Sequence, residues 1–357
     1  MRVADFDFEL PERLIAQEPR PRGDSRLLVV DRAAGTWRET PFRDLPNLFD
    51  PRDLLVVNDT RVFPARLLGR RDPSGGAVEC FLLRREPAEP VEPVEPGELW
   101  EALVHPGQKL KPGTRLLVED AERAPGVVIR GEILERLFHG RRRVRLYVEG
   151  ADSVDAAVDA LGHMPLPPYI HRPDTASDRE RYQTVYAPAP GSLAAPTAGL
   201  HFDAVALAAL DARGVRRAPL TLHVGYGTFK PVRVDEVEAH TVDPESYEVP
   251  ESTAQAIADS RRAGRRVAAV GTTTTRALEH AARRGFVPGR AEADLFIYPG
   301  FEFGVVDALV TNFHLPKSSL FMLVCALAGR ELVLEAYRDA IGREFRFYSY
   351  GDAMVIL

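Results

Sequence analysis

Residues 265–285 read RRVAAVGTTTTRALEHAARRG, and the fold class turns on them. VAAV is a short apolar strand, the glycine a turn, and the run from the threonines to the next glycine a helix. Strand, tight turn and helix make the unit from which α/β domains with buried sheets are built. Thr272, Thr273, Thr274 and Thr275 at the helix start offer hydroxyl caps and free backbone N–H groups, a receptor for a carboxylate, a phosphate or a ribose edge. The plainer reading is one capping threonine and three incidental ones. No lysine follows the turn, so this is not a GxxxxGK[ST] phosphate loop.

The same texture extends outward. DSVDAAVDALG (152–162), FDAVALAALDARG (202–214) and TAQAIADSRRAG (253–264) read as helices, and APLTLHVG, RRVAAVG and DALVTNF as strands alternating with them. Upstream, residues 53–71 give a buried strand, a polar turn at 58–61 and a second strand entered through Pro64. GGAVECFLLRR, LWEALVHPG, TRLLVED, GVVIRGEILER and RRRVRLYVEG follow at short intervals, the spacing of a small β-barrel. SRLLVVDR (25–32) is strand material ahead of that barrel. The predicted architecture is therefore a large α/β domain, residues 1–62 and 156–357, with an inserted small β-barrel domain at 63–155. REPAEPVEPVEPGE (85–98) has no apolar pattern and reads as an exposed loop.

Composition sets limits. A chain of 357 residues with 45% hydrophobic and 27% charged residues is an ordinary soluble protein of two domains. The first ten residues, MRVADFDFEL, have neither the basic start nor the apolar core of a signal peptide, and the longest apolar run, 320–328, is far short of the roughly 20 residues of a membrane span. A cytoplasmic protein without membrane contact is expected, and a monomer is the working assumption. Cys80 and Cys325 lie inside apolar runs, as buried structural cysteines do, so neither a disulfide nor cysteine-bound zinc is expected. The only lysines are Lys109, Lys111, Lys230 and Lys317; the arginine bias fits heat adaptation or codon usage equally. A net charge of −6 weighs against nucleic acid as a partner, yet HGRRRVR (139–145) concentrates base on one barrel strand.

Several turns gather reactive side chains. LAAPTAGLHF (193–202) puts His201 in the opening turn of a helix, where the dipole lowers its proton affinity and suits a neutral base; a histidine bonded to a nearby carbonyl is the alternative. LTLHVGYGTFKPV (220–232) sets His223 beside Gly225 and Gly227, which permit close backbone approach to a ligand or merely form a bulge. LGHMPLPPYI (161–170) reads as an ordered extended loop lining a groove. TNFHLPKSSL (311–320) is a strand end, a proline-closed turn and a helix capped by Ser318 or Ser319, with Asn312, His314 and Lys317 crowding the turn. His201, His223, His240 and His314 show no HxxxH or HxH spacing, so no metal is expected. A serine hydrolase lacks its GxSxG elbow.

Nine separated runs, in order, resemble one family: FELPERLIAQEPRPRGDSRLLVVD, LLVVNDTRVFPARLLGR, LGHMPLPPYIHR with DRERYQTVYA, APTAGLHF, LTLHVGYGTFKPV, VGTTTTRALE, FIYPGF, VTNFHLPKSSLFMLV and FYSYGDAMVIL. They span residues 8–357 and closely resemble the S-adenosylmethionine:tRNA ribosyltransferase-isomerases. The resemblance implies a late step of queuosine synthesis. The ribosyl part of S-adenosylmethionine is transferred and isomerised onto 7-aminomethyl-7-deazaguanine at the tRNA wobble position, giving epoxyqueuosine and releasing adenine and methionine. S-adenosylmethionine is then a consumed substrate rather than a cofactor, and the family fold is a large α/β domain with an inserted barrel.

That chemistry asks for a base at the C5′ hydrogens, made acidic by the sulfonium, and an acid for the departing adenine. His201 and His223 are the leading acid/base candidates, with Asp59 next as a base or as a partner fixing a histidine. Asn58, Thr197, Gly225, Asn312 and His314 fall in the same motif turns and are expected to line the substrate site. Thr272–Thr275 are expected to hold the methionine carboxylate or the ribose, and Arg61 and Lys317 to clamp anions. Arg141, Arg142, Arg143 and Arg145 are the candidate tRNA contacts, if alternation turns some of them to solvent. Two other classes stand as alternatives: a non-catalytic RNA-binding protein, disfavoured by the Thr, His and Gly turns, and an S-adenosylmethionine-dependent RNA methyltransferase, disfavoured by the missing GxGxG turn.

Overall fold

The computed structural model describes residues 1–87, 97–229 and 232–357. Most of the Pro-Glu stretch expected as an exposed loop, and Lys230, lie outside the described residues. The chain divides into two compact units: Met1–Val62 with Pro167–Pro173 and Glu180–Leu357, and Phe63–Leu166 with Asp174–Arg179.

In chain order the strands are β1 (Arg26–Asp31), β2 (Thr36–Pro41), β3 (Leu54–Asn58), β4 (Thr60–Val62), β5 (Arg66–Asp72), β6 (Ala77–Arg85), β7 (Glu98–His105), β8 (Arg115–Glu119), β9 (Val128–Arg136) and β10 (Arg141–Glu149). They continue with β11 (Ala189–Ser192), β12 (Arg216–Leu222), β13 (Glu245–Val249), β14 (Val267–Val270), β15 (Gly289–Ala293), β16 (Ala308–Asn312) and β17 (Ala353–Ile356). The helices are α1 (Val154–Leu161), α2 (Asp178–Arg181), α3 (Ala204–Ala212), α4 (Glu251–Arg262), α5 (Thr272–Arg283), α6 (Ser319–Ala328) and α7 (Arg330–Gly342).

The larger unit is built on a nine-stranded sheet in the order β15-β13-β12-β3-β14-β16-β17-β1-β2. β12, β3, β14 and β16 run parallel, with Leu54 paired to both Arg216 and Val267. Every residue of β3, β14, β16 and β17 is buried, which is why these strands read as unbroken apolar runs. Alternate residues serve opposite faces. Leu54, Val56, Val267 and Ala269 join a core with Ile257, Leu278 and Phe321, whereas Leu55, Val57, Ala268 and Val270 join one with Phe42, Phe202 and Leu210. The edge strand β2, TWRETP, keeps its residues largely in solvent.

The smaller unit is a closed barrel in the order β10-β7-β6-β5-β8-β9. Its strands alternate: Val78, Cys80 and Leu82 on β6 point inward, as do Ile129 and Ile133 on β9 and Val144 and Leu146 on β10. Both cysteines are buried and unpaired. The unit runs past residue 155 to Leu166 because α1 packs on β9 and β10 with Val154, Ala157, Val158 and Leu161 buried. Ser153 caps that helix, accepting from the Ala156 N–H at 3.1 Å. No helix among the described residues is long and apolar enough to cross a membrane.

Candidate active site

The carboxyl ends of β12, β3, β14 and β16 open on one edge of the large sheet, the usual address of ligand sites in α/β folds. Four of the motif turns sit there: Asn58–Asp59 after β3, His223 after β12, Gly271 after β14 and Asn312–His314 at the end of β16. The turn containing Thr197 and His201, a short 3-10 helix over Thr197–His201, lies against Gly271 through Ala198, whose Cβ would be 3.8 Å from a Cβ placed on the glycine.

Asn58 is spent on structure. Its Nδ2 donates to the Leu222 carbonyl at 2.9 Å, and its Oδ1 accepts from the N–H groups of Leu222 and Thr60 at 3.0 and 3.1 Å. It welds β3 to β12 rather than facing substrate, as was expected of it. The next residue, Asp59, is half-buried; desolvation pushes its carboxyl above the ordinary range, opposed by the Thr221 hydroxyl donating to Oδ1 at 2.6 Å.

His223 stands beside it. Its Nδ1 lies 2.8 Å from Thr60 Oγ1, while Nε2 has no hydrogen-bond partner among the described residues. Burial holds the imidazole below its ordinary pKa, aided by Arg290 and opposed by Asp59 and Glu248, so at neutral pH it is an uncharged proton acceptor. Gly191 covers the ring: a Cβ there would sit 2.9 Å from His223 Cε1. The loop that follows is anchored by residues the sequence reading passed over. The Gly225 N–H donates to Glu245 Oε1 at 3.1 Å, and Glu245 Oε2 takes the buried guanidinium of Arg276 at 2.8 Å. Arg276, fifth residue of TTTTR, thus ties the α5 motif to the His223 loop; helical spacing, which turns it to the same side as Thr272, was the available signal. Beside Gly225 a side chain would meet open space, consistent with room for a ligand.

His201 differs. It ends a 3-10 turn instead of opening α3, whose cap is Asp203, so no helix dipole explains its low proton affinity. Burial does, together with Arg346 and Arg22, holding it down to about 3. Both ring nitrogens are engaged, Nδ1 with Ser25 Oγ at 2.7 Å and Nε2 with Asn312 Nδ2 at 3.0 Å. His314 is likewise buried, lowered to about 3 by desolvation, and bonded through Nε2 to Thr311 Oγ1 at 2.8 Å.

At the start of α5 the cap is Gly271, at φ 96, not a threonine. Thr274 and Thr275 turn their hydroxyls back onto the Val270 and Gly271 carbonyls at 2.6 and 3.1 Å, which spends them as donors for a carboxylate. Thr272 and Thr273 keep theirs, and the first N–H bonded into the helix is that of Thr275, onto Gly271 O at 3.1 Å. The amides of Thr272, Thr273 and Thr274 remain as donors at the sheet edge.

The anion clamps fare unevenly. Lys317, in a left-handed conformation at φ 58, is paired with Asp7 at 2.7 Å on the surface, so its charge is already answered. Arg61 is exposed, and its guanidinium has no partner among the described residues. Ser318 is the residue that caps α6, accepting from the Phe321 N–H at 3.2 Å.

In the barrel, the basic strand is not a free phosphate-binding stripe. Arg141 pairs with Glu101 at 2.6 Å, Arg143 with Glu86 and Glu135 at 2.8 and 3.0 Å, and Arg142 is buried, donating to the carbonyls of Leu110, Gly140, Arg141 and Gly107. Arg145 is engaged as well. Sequence alternation found the solvent-facing positions but not the glutamates waiting on the neighbouring strands. Among the described residues no group of three or more His, Cys, Asp or Glu is placed to hold a metal.

A family model described as queuosine biosynthesis protein matches residues 3–356. The chain is 51% identical, over all of both sequences, to a protein of Citrifermentans bemidjiense named S-adenosylmethionine:tRNA ribosyltransferase-isomerase. It is 52% identical to a protein of that name from an Anaeromyxobacter species, covering 100% of this chain and 99% of the relative. Among solved structures it resembles the crystal structure of S-adenosylmethionine tRNA ribosyltransferase from Thermotoga maritima, with a TM-score of 0.54 and 37% identity over 99% of this chain and 100% of that one. The chain therefore belongs to the queuosine biosynthesis protein family, as its nine motif runs and its α/β sheet with a separate closed barrel had implied.

Proposed function

We propose that the protein is an S-adenosylmethionine:tRNA ribosyltransferase-isomerase. One observation carries the reading: end-to-end identity of about half with relatives of that name, with the motif turns collected on one edge of the sheet. The substrates are S-adenosylmethionine and tRNA bearing 7-aminomethyl-7-deazaguanine, and the products epoxyqueuosine in tRNA, adenine and methionine. The reaction runs in the cytoplasm, where its tRNA is.

In this scheme His223 takes the C5′ proton. Its Nε2 is open, its imidazole neutral, and Asp59 beside it stabilises the imidazolium that forms. The ylide left at C5′ opens the ribose and expels adenine, which takes up the proton that His223 removed. The amine of the tRNA base then bonds to the ribosyl carbon and gives up a proton, and methionine departs with the electrons of its C–S bond as the epoxide closes. The amides of Thr272, Thr273 and Thr274 suit the methionine carboxylate, and Arg61 suits a phosphate. No step is assigned to a metal.

The test is adenine release from S-adenosylmethionine, followed with and without tRNA carrying the aminomethyl base. Stoichiometric adenine and methionine with a ribosyl-derived adduct on tRNA is the expected result. Methylated tRNA with S-adenosylhomocysteine would make the protein a methyltransferase, and binding without turnover a tRNA reader.

A further inference from the structure

Asn312 ends β16 and is only 2% exposed, yet its amide is half used. Nδ2 donates one hydrogen to His201 Nε2 and the other to the Tyr348 carbonyl, each at 3.0 Å. Oδ1 is buried and accepts from nothing among the described residues. An unmet buried acceptor costs about 1–3 kcal/mol, so one at a sheet edge that carries the reactive turns calls for a donor from outside the chain.

The amide cannot turn over to escape. Flipped, Oδ1 would face the Tyr348 carbonyl oxygen at about the same short distance, acceptor against acceptor. Tyr348 is itself fixed: it holds a left-handed backbone at φ 71, its N–H donates to the Phe313 carbonyl at 3.0 Å, and its ring stacks on Tyr169 with centroids 3.9 Å apart. A bulky residue in that conformation is strained, and strain of this kind persists where the surroundings enforce it. His201 completes the clamp. Because Nε2 accepts from Asn312, the ring proton resides on Nδ1 and is given to Ser25 Oγ at 2.7 Å.

We infer that Asn312 Oδ1 is a substrate-binding acceptor for an N–H donor of the bound ligands, and that His201 is a positioning residue that aims it rather than an acid or base. The donor class is an ammonium or an amine: the ammonium of the methionyl part, the exocyclic amine of adenine, or an N–H of the deazaguanine. The inference rests on the proposed reaction for the identity of these donors, not for the geometry.

The decisive experiment compares His201→Ala, His201→Gln and Asn312→Ala in the full-length enzyme with both substrates. Glutamine offers Oε1 to accept from Asn312 and Nε2 to donate to Ser25, but it cannot carry a proton in turnover. His201→Gln is expected to recover most of what His201→Ala loses, with no new limb in the pH profile. Asn312→Ala is expected to raise one KM roughly ten- to a hundredfold while kcat falls less. A shift in the tRNA KM assigns the deazaguanine. A shift in the S-adenosylmethionine KM is resolved by product inhibition, weakened for adenine or for methionine. The inference fails if His201→Gln is as inactive as His201→Ala, or if Asn312→Ala leaves every KM and inhibition constant in place, Oδ1 then meeting only water.

Should the alanine variants not fold, nitrogen-15 spectra of the wild-type imidazoles decide. His201 must stay the neutral Nδ1–H tautomer from pH 5 to 9; titration in that range, or the other tautomer, overturns the assignment. If the wild-type enzyme releases no adenine at all, the proposed reaction has failed while the tautomer result still stands or falls by itself.

Discussion

His201 and His223 lie in neighbouring turns of one sheet edge, and their surroundings separate them. His201 is sealed, with Ser25 on one nitrogen and Asn312 on the other; His223 is half-buried, tied only at Nδ1 and accompanied by Asp59 and Glu248. Low proton affinity, taken alone, would have made His201 the better neutral base. What a proton acceptor needs is an unoccupied lone pair within reach of substrate; both nitrogens of His201 are engaged, whereas His223 Nε2 has no hydrogen-bond partner among the described residues. The deeper shift marks the more structural residue.

That contrast can be broken most sharply by His223→Ala, expected to slow adenine release by about 10²–10⁴-fold, the range for a lost general base. Glutamine at 223 should not restore the rate; rescue there would make the two histidines alike. Next in size, Arg276→Met takes a buried guanidinium away from the Glu245 carboxylate, and urea denaturation should show a loss of up to about 3–5 kcal/mol. Glu245→Gln in the same chain should return part of it.

Gly191→Ala attacks the His223 side alone. Its methyl meets the imidazole, at a φ of 136 that already favours glycine, and the displaced ring should lower kcat by up to about 100-fold with substrate binding retained. Acid attacks the His201 side. The folded-state pKa of about 3 lies below the 6.5 of the unfolded chain, so the unfolded state binds the extra proton between those values. Stability is whole above pH 6.5 and falls by about 1.4 kcal/mol per pH unit as pH drops through the window toward 3. His314, His223, His240 and His280 add slopes of the same sign, so His201→Gln should lessen the steepness rather than abolish it. The smallest effect on turnover is expected in the barrel: Arg141→Ala with Arg143→Ala removes guanidiniums already committed to Glu101 and Glu86, with Arg84 still on Glu101, and should leave the tRNA KM nearly unmoved.

The sequence was most legible where one short stretch decides its own structure. VAAVG followed by a helix, and alternation such as VECFLL in the barrel, carry their periodicity within ten residues. The cap of α6 was narrowed to two serines for the same reason. Pairings were illegible because their members are far apart: Ser25 and Asn312 meet His201 from 176 and 111 positions away, and Arg141 finds Glu101 across a strand register that only the closed barrel sets. The motif turns told where a site would form; which lone pairs stay open there depended on partners from elsewhere. Asn58 shows the limit most plainly, a polar residue in a motif turn whose Oδ1 accepts two backbone N–H bonds and whose Nδ2 donates to a backbone carbonyl.

The start of α5 has a consequence for adaptation. Gly271 at φ 96 occupies the position where a serine or aspartate would ordinarily finish the helix, and two threonine hydroxyls are turned away from the three amides left over. A heat-adapting lineage can gain stability at most helix starts by acquiring a cap. Here that route is closed by a conformation that side chains resist, and in the proposed scheme a cap would also occupy the donors meant for the methionine carboxylate, so this helix start is a poor place for such a gain.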